Sequence, residues 1–250
     1  MQRYFINPQM FHEDHVVISG DDAKHISRVM RMEQGDNIIC CTTSGVCYEC
    51  VISEMKDSYI YATIEKQESK SVELPVNVTI GHGLPKGDKF EWVIQKGTEL
   101  GAKNFLPFEA ERSIVKLDKK KADKKIDRWN KIAKEAAEQS HRQQLPKVME
   151  VQRFSQLLDH VDGYSYVLVA YEEAAKNDEK SQLFSVLQEV KKGESILFLF
   201  GPEGGFSDRE INELTKKGAL ICGLGPRILR SETAPLYGLT AISYHLELLG

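Results

Sequence analysis

The rhythm of apolar residues changes near residue 72. Before it, short β-type runs recur at 37–42, 46–53 and 59–65, separated by turn-forming stretches. Strands at this spacing predict a small barrel or sandwich. One short helix belongs to the same region. Asp21 or Asp22 can cap it, and Ile26, Val29 and Met30 fall at helical spacing. Gly35-Asp36 ends it. The polar stretch 65–73 reads as a linker, and Pro75 marks the boundary.

From Val76 onward strands and helices alternate. Strands are expected at 76–80, 105–108, 166–170, 196–200 and 219–222. Helices are expected at 86–100, 118–140, 182–190, 211–217 and 234–249. Phe90, Val93, Ile94, Gly97 and Leu100 form the buried stripe of the first of these helices, and Leu236, Leu239, Ile242, Leu246 and Leu249 form an apolar stripe on the last, which either covers the sheet or meets a partner. Such alternation implies a parallel sheet covered on both faces. The expected division is therefore 1–72, mostly β, and 73–250, α/β.

Two loops in the second part stand out. The run Ile196-Leu197-Phe198-Leu199-Phe200 is uncharged and aromatic, as a strand buried on both faces requires. It passes at once into Gly201-Pro202-Glu203-Gly204-Gly205-Phe206, and Ser207 with Glu210 makes a capping box for the next helix. Loops leaving such strands are where open α/β sheets bind ligands. A second glycine-rich turn follows at Leu224-Gly225-Pro226-Arg227-Ile228-Leu229-Arg230-Ser231-Glu232-Thr233-Ala234. Together the two loops are expected to hold a small molecule. A competing site is Gly81-His82-Gly83-Leu84-Pro85-Lys86-Gly87, a variant of the dinucleotide fingerprint, with Glu99 or Glu109 as its acidic partner.

Composition narrows the partners. The chain has 250 residues and a formal charge of −4, so nothing global points to nucleic acid. Between Arg112 and Lys134, however, ten Lys/Arg stand against three Asp, a local balance of +7. Such a segment is either a phosphate-contacting face or a solvated helix surface. No apolar run approaches a membrane span, and the N-terminus lacks a secretion signal's apolar core, so a cytoplasmic protein without membrane association is expected. The five cysteines suit reduced thiols. Cys47 and Cys50 have metal-ligand spacing, but no second pair matches them, and no metal is expected.

The two loops closely resemble those of the bacterial 16S rRNA (uracil-N3)-methyltransferases, members of the SPOUT superfamily. The segments His25-Ile26-Ser27-Arg28-Val29-Met30-Arg31, Gln95-Lys96-Gly97-Thr98-Glu99-Leu100-Gly101 and Glu138-Gln139-Ser140-His141-Arg142 resemble further motifs of that family. His141 stands where many members carry glycine. The resemblance implies a PUA-like, RNA-binding β-barrel at 1–72 and a trefoil-knotted α/β methyltransferase domain at 73–250. It also implies S-adenosylmethionine as cofactor, a homodimer, and N3 of one uridine in the decoding region of small-subunit rRNA as target.

Residue assignments follow from that resemblance. Phe200, Gly201, Glu203, Gly204, Gly205, Leu224, Gly225, Ile228, Leu229, Thr233 and Ala234 are expected at the cofactor, with Leu84. Of these, Leu84, Phe200, Leu224 and Ile228 either sandwich the adenine or are plain core. Arg230 is expected to stabilise charge on a uracil carbonyl. Uracil N3 must also lose its proton, and Glu232, Glu203, Glu99 and His141 are open candidates for the base. The alternative for Arg230 and Glu232 is a simple ion pair at the start of the closing helix. Arg28, Arg31, Lys119, Lys120, Lys124 and Arg142 are the expected RNA contacts. Two other functions compete: a non-catalytic RNA-binding or ribosome-assembly factor, and a dinucleotide-dependent enzyme built on Gly81–Gly87.

Overall fold

The computed structural model describes residues 1–176 and 181–249. The chain folds as two compact units, Met1–Glu73 with Ala137–Leu145, and Leu74–Ala136 with Pro146–Gly250.

The first unit contains β1 (Gln2–Ile6), β2 (His15–Ser19), α1 (Gly20–Lys24), β3 (Asn37–Thr42), β4 (Cys47–Lys56) and β5 (Tyr59–Gln67). The strands form one half-barrel sheet in the order β1-β3-β4-β5-β2. β1 runs parallel to β3, and the other neighbours are antiparallel. Alternate side chains point to opposite faces. Tyr4, Ile6, Ile38, Cys40, Ile52 and Ile60 bury one face with Ile26, while Phe5, Ile39, Cys41 and Cys47 bury the other against Ala137. Ser19, not Asp21 or Asp22, occupies the N-cap of α1, and beyond Lys24 the helix widens into a π turn at His25–Val29.

Two sequence expectations change in this unit. Cys41 and Cys47 are directly opposite in the β3–β4 register and form a disulfide, so the cysteines are not all thiols. The Arg3 guanidinium lies 3.0 and 3.1 Å from their sulfurs and pairs with Glu68 at 2.9 Å. Arg142 is 3% exposed and donates from Nε to Glu73 at 2.8 Å. The backbone N–H of Gln143 takes the other oxygen of Glu73 at 2.7 Å. Arg142 therefore holds the 137–145 segment to the linker and has no surface to offer a phosphate.

The second unit contains β6 (Asn77–Gly83), α2 (Lys89–Glu99), β7 (Asn104–Glu109), α3 (Lys119–Gln139), β8 (Lys147–Val148), β9 (Gln152–Arg153) and α4 (Phe154–His160). It continues with β10 (Tyr166–Ala170), α5 (Glu172–Lys176), α6 (Gln182–Glu189), β11 (Ser195–Phe200), α7 (Asp208–Lys216), β12 (Leu220–Cys222) and α8 (Ala234–Ser243). All strands are parallel, in the order β12-β10-β11-β6-β7-β8, with β9 also on β7. β11 shows why the sheet needs two covers. Phe198 and Phe200 pack into a cluster with α2, α3, α6 and α8, whereas Leu197 and Leu199 pack with α4 and α7. Fully burying each such side chain contributes about 1.5–3 kcal/mol. After α8 the backbone widens again, into a π turn at Tyr244–Leu248.

Candidate active site

The first loop, residues 201–206, leaves the C-terminal end of β11. Gly205 adopts φ +67°, a left-handed conformation that glycine enters without steric cost. Its N–H closes a turn on the Pro202 carbonyl at 2.8 Å. The capping box forms as the sequence suggested: Ser207 N–H donates to Glu210 at 2.9 Å, and Glu210 N–H to the Ser207 hydroxyl at 3.3 Å. Glu210 is buried and also accepts the N–H of Glu111 at 2.8 Å. Arg112 Nη1 donates to the Gly204 carbonyl at 3.0 Å, and Lys86 N–H to Glu203 Oε1 at 3.1 Å. A Cβ on Gly83 would lie 2.5 Å from Pro202 Cδ, so only glycine admits the loop this close to β6.

The second loop, residues 224–231, follows β12. Among the described residues, no hydrogen bond holds 224–229. The loop is fastened at its far end instead. His82 is buried at the end of β6, with Nε2 2.8 Å from the Ser231 carbonyl and Nδ1 2.6 Å from that of Gly83. Burial pushes the His82 pKa down and outweighs the opposing pull of those two carbonyls.

Between the loops lies a cavity of about 980 Å³, at the large end of the range for small-molecule sites. Phe200, Gly201, Glu203, Gly204, Gly205, Leu224, Gly225, Ile228, Leu229, Arg230 and Ala234 all line it. Three expected residues do not. Leu84 packs in the core, and its N–H bonds to the Phe108 carbonyl. Thr233 is an exposed residue at the N-cap of α8. Glu232 is off the lining, but its carboxylate lies 3.3 Å from Lys89, which is on it. Ile228 is 75% exposed, so it is loop surface and not core.

The alternative reading, an Arg230–Glu232 ion pair at the start of α8, is not found among the described residues. Lys89 Nζ, not Arg230, sits between Glu203 at 3.0 Å and Glu232 at 3.3 Å. Within the described residues no side chain pairs with the Arg230 guanidinium, which stays exposed on the cavity wall. The hydrogen bond from Lys89 to Glu203 raises the lysine pKa against the effect of burial. Burial pushes both Glu203 and Glu232 up, but their own backbone N–H groups and Lys89 outweigh it and hold them below the usual carboxylate range. They are ionised at neutral pH and weak as proton acceptors.

The remaining candidates lie elsewhere. Glu99 is exposed on α2 and paired with Lys96 at 2.7 Å. His141 lies in the 137–145 segment of the first unit, with φ +57° just beyond the end of α3. That left-handed position is where helices most often place glycine. Arg28 and Arg31 are exposed in the first unit, and Lys119, Lys120 and Lys124 on the first turns of α3. Gly81-His82-Gly83 is buried strand between β11 and β7, not a loop, so no pyrophosphate can be cradled there. The dinucleotide reading falls.

Lys89 and Arg112 were not singled out for the site in the sequence. Lys89 reads as an ordinary surface lysine in the first turn of a helix, and Arg112 as one charge in a basic stretch. Only the approach of distant loops reveals them. Among the described residues no helix is long and apolar enough to cross a membrane, and no group of His, Cys, Asp or Glu is placed to hold a metal ion.

Comparison with known proteins agrees with this geometry. Residues 72–243 match a model of the RNA methyltransferase domain, and residues 18–65 a model of the RNA methyltransferase PUA domain. The chain is 50% identical over 252 residues to ribosomal RNA small subunit methyltransferase E of Bacillus subtilis (strain 168), covering 100% of this chain and 98% of that protein. A crystal structure of a hypothetical protein superposes with a TM-score of 0.92 at 48% identity, covering 100% of both chains. Ribosomal RNA small subunit methyltransferase E from Neisseria gonorrhoeae, solved bound to S-adenosyl methionine, superposes with a TM-score of 0.84 at 26% identity over 97% of each chain. A methyltransferase-type sheet with a two-loop cavity, preceded by a PUA domain, is thus what this sequence encodes, and the chain belongs to the RNA methyltransferase family.

Proposed function

We propose that this protein transfers a methyl group from S-adenosylmethionine to N3 of a uridine in small-subunit ribosomal RNA, acting as a cytoplasmic homodimer. The observation that carries the reading is the cavity of about 980 Å³ between two glycine-rich loops, with an arginine on its wall whose guanidinium has no partner among the described residues. The cavity fits the cofactor. It is large enough, and among the described residues the backbone groups of 224–229 have no hydrogen-bond partner, which leaves them to bind a nucleoside. Gly201, Gly204, Gly205, Leu224, Gly225, Ile228 and Leu229 would hold it, with Phe200 behind.

The cofactor supplies a methyl group already activated by a sulfonium, so the protein's share is binding, aim and electrostatics. N3 of uracil faces the interior of a base pair, and the base must be unpaired or extruded to reach the cavity. Arg230 offers a guanidinium where negative charge grows on a carbonyl oxygen of the ring as N3 loses its proton. Glu232 stays ionised beside it, shaped by Lys89.

A trefoil knot of the SPOUT type belongs to the same proposal. β12 lies at the sheet edge, with two strands between it and β6, yet the chain beyond it returns to β6, where His82 meets Ser231. That return past β10 and β11 supports the knotted reading. Exposed Tyr237, Tyr244 and Leu248 on and just after α8, with Trp92 on α2, supply the apolar surface for a dimer; a monomer by sedimentation at micromolar concentration would refute it. Residues 1–72 would act as an RNA-binding PUA-like domain through Arg28 and Arg31. Residues 73–250 would form the methyltransferase domain, with Lys119, Lys120 and Lys124 on phosphates. RNA affinity should then fall with salt, by about one unit of logarithmic slope per phosphate neutralised.

The test is labelled-methyl transfer to undermethylated small subunits, followed by mapping of the modified base. Label at N3 of a uridine is expected. Binding without transfer would make the protein an assembly factor instead.

A further inference from the structure

Gly81–Gly87, the variant dinucleotide fingerprint of the sequence, begins as the end of β6 and leads into α2 at Lys89. The segment Gly81–Lys89 nevertheless touches the first loop and the far end of the second. Gly83 lets Pro202 of the first loop approach β6. His82 meets the carbonyl of Ser231, between Arg230 and Glu232. The Lys86 N–H binds Glu203 of the first loop, and the Lys89 ammonium binds Glu203 and Glu232 together.

We infer that Gly81–Lys89 is the platform that sets the two loops against each other, and that Lys89 is its positioning residue, acting on transfer through Glu232. The inference rests on the methyltransferase reading above. Glu203 and Glu232 come from different loops, and both carboxylates lie within 3.3 Å of one ammonium. Without that cation two negative groups face each other, and the segment Arg230-Ser231-Glu232 loses one of its two ties to the β6–α2 segment. The other tie is His82. Arg230 is two residues from Glu232 and its guanidinium has no side-chain partner among the described residues, so its aim depends on how that segment is held. Misplacement of a catalytic group by about 1 Å can cost about 100-fold in rate.

The full-length protein is assayed on undermethylated small subunits, with S-adenosylmethionine affinity measured by calorimetry. Lys89→Met should lower kcat by about 10- to 100-fold while the KM for RNA moves by less than about threefold. Lys89→Arg, which keeps a cation able to span two carboxylates, should restore most of the loss. If Lys89 acts through Glu232, Lys89→Met combined with Glu232→Gln should be no slower than the slower single variant, because the effects share one path. Losses that multiply, or a Lys89→Met enzyme as fast as the wild type, would overturn the inference. Melting curves separate misfolding from misplacement. Should Lys89→Met melt early, Lys89→Arg decides: a folded variant that has lost transfer refutes a bridging role. A wild type that binds cofactor but never transfers would sink the methyltransferase reading, and this inference with it.

Discussion

The two loops around the cavity are built in opposite ways. Residues 201–206 are held by Arg112, by the Lys86 N–H, by an internal turn and by the capping box at Ser207. Residues 224–229 carry no hydrogen bond among the described residues and expose Ile228. One loop is a wall formed in advance. The other is tied through Ser231 and Glu232 at its far end, and next to those ties it carries Arg230, whose guanidinium has no partner among the described residues. The division lets the rigid loop define where a ligand sits while the loose one adapts to it and brings the chemistry. Ordering a loose segment on binding costs affinity, which such a site accepts in exchange for closure.

The contrast predicts where substitutions should hurt. The largest effect belongs to the loose loop: Arg230→Ala should cut kcat by about 100- to 1000-fold, the range for removing one oxyanion donor, while cofactor binding by calorimetry stays near that of the wild type. Unchanged turnover would remove Arg230 from the mechanism. Next comes the rigid loop. Gly83→Ala drives a Cβ to 2.5 Å from Pro202 Cδ and 2.8 Å from its backbone nitrogen. Overpacking of this kind costs about 1–3 kcal/mol, so both the melting temperature and cofactor affinity should fall. A smaller effect is expected from acid. Glu203 and Glu232 are depressed relative to the ordinary value of 4.5. Their contribution to stability is therefore complete above the unfolded pKa and lost as pH falls through the folded one. Melting temperatures followed downward from pH 5 should decline less steeply in Lys89→Met than in the wild type. Smallest of all, Ile228→Ala should leave stability within about 0.5 kcal/mol, since an exposed side chain packs against nothing. A marked loss of stability would mean that the second loop is as firmly packed as the first.

How legible this was from sequence depended on the range of the interaction. β11 was clear because five successive residues are apolar and buried, and the capping box because Ser207 and Glu210 are three residues apart. β1 was harder. Tyr4 and Phe5 point to opposite faces that are both covered, so the strand shows no alternation. β8 and β9 have two residues each and leave no periodic signal. The glycine loops were readable as local strings. The pairings of Lys89 with Glu203 and Glu232, and of His82 with Ser231, join residues more than a hundred positions apart and leave no local mark. Arg142 misled for the same reason: its partner Glu73 is 69 residues away, and a buried arginine looks like an exposed one until that partner is seen.

Hydrogen–deuterium exchange of the full-length protein with and without S-adenosylmethionine addresses the two-loop account most directly. The account predicts strong new protection across residues 224–231 and little change at 201–206, which are already hydrogen-bonded. Protection confined to other segments, or equal exchange in both loops with saturating cofactor, would contradict it.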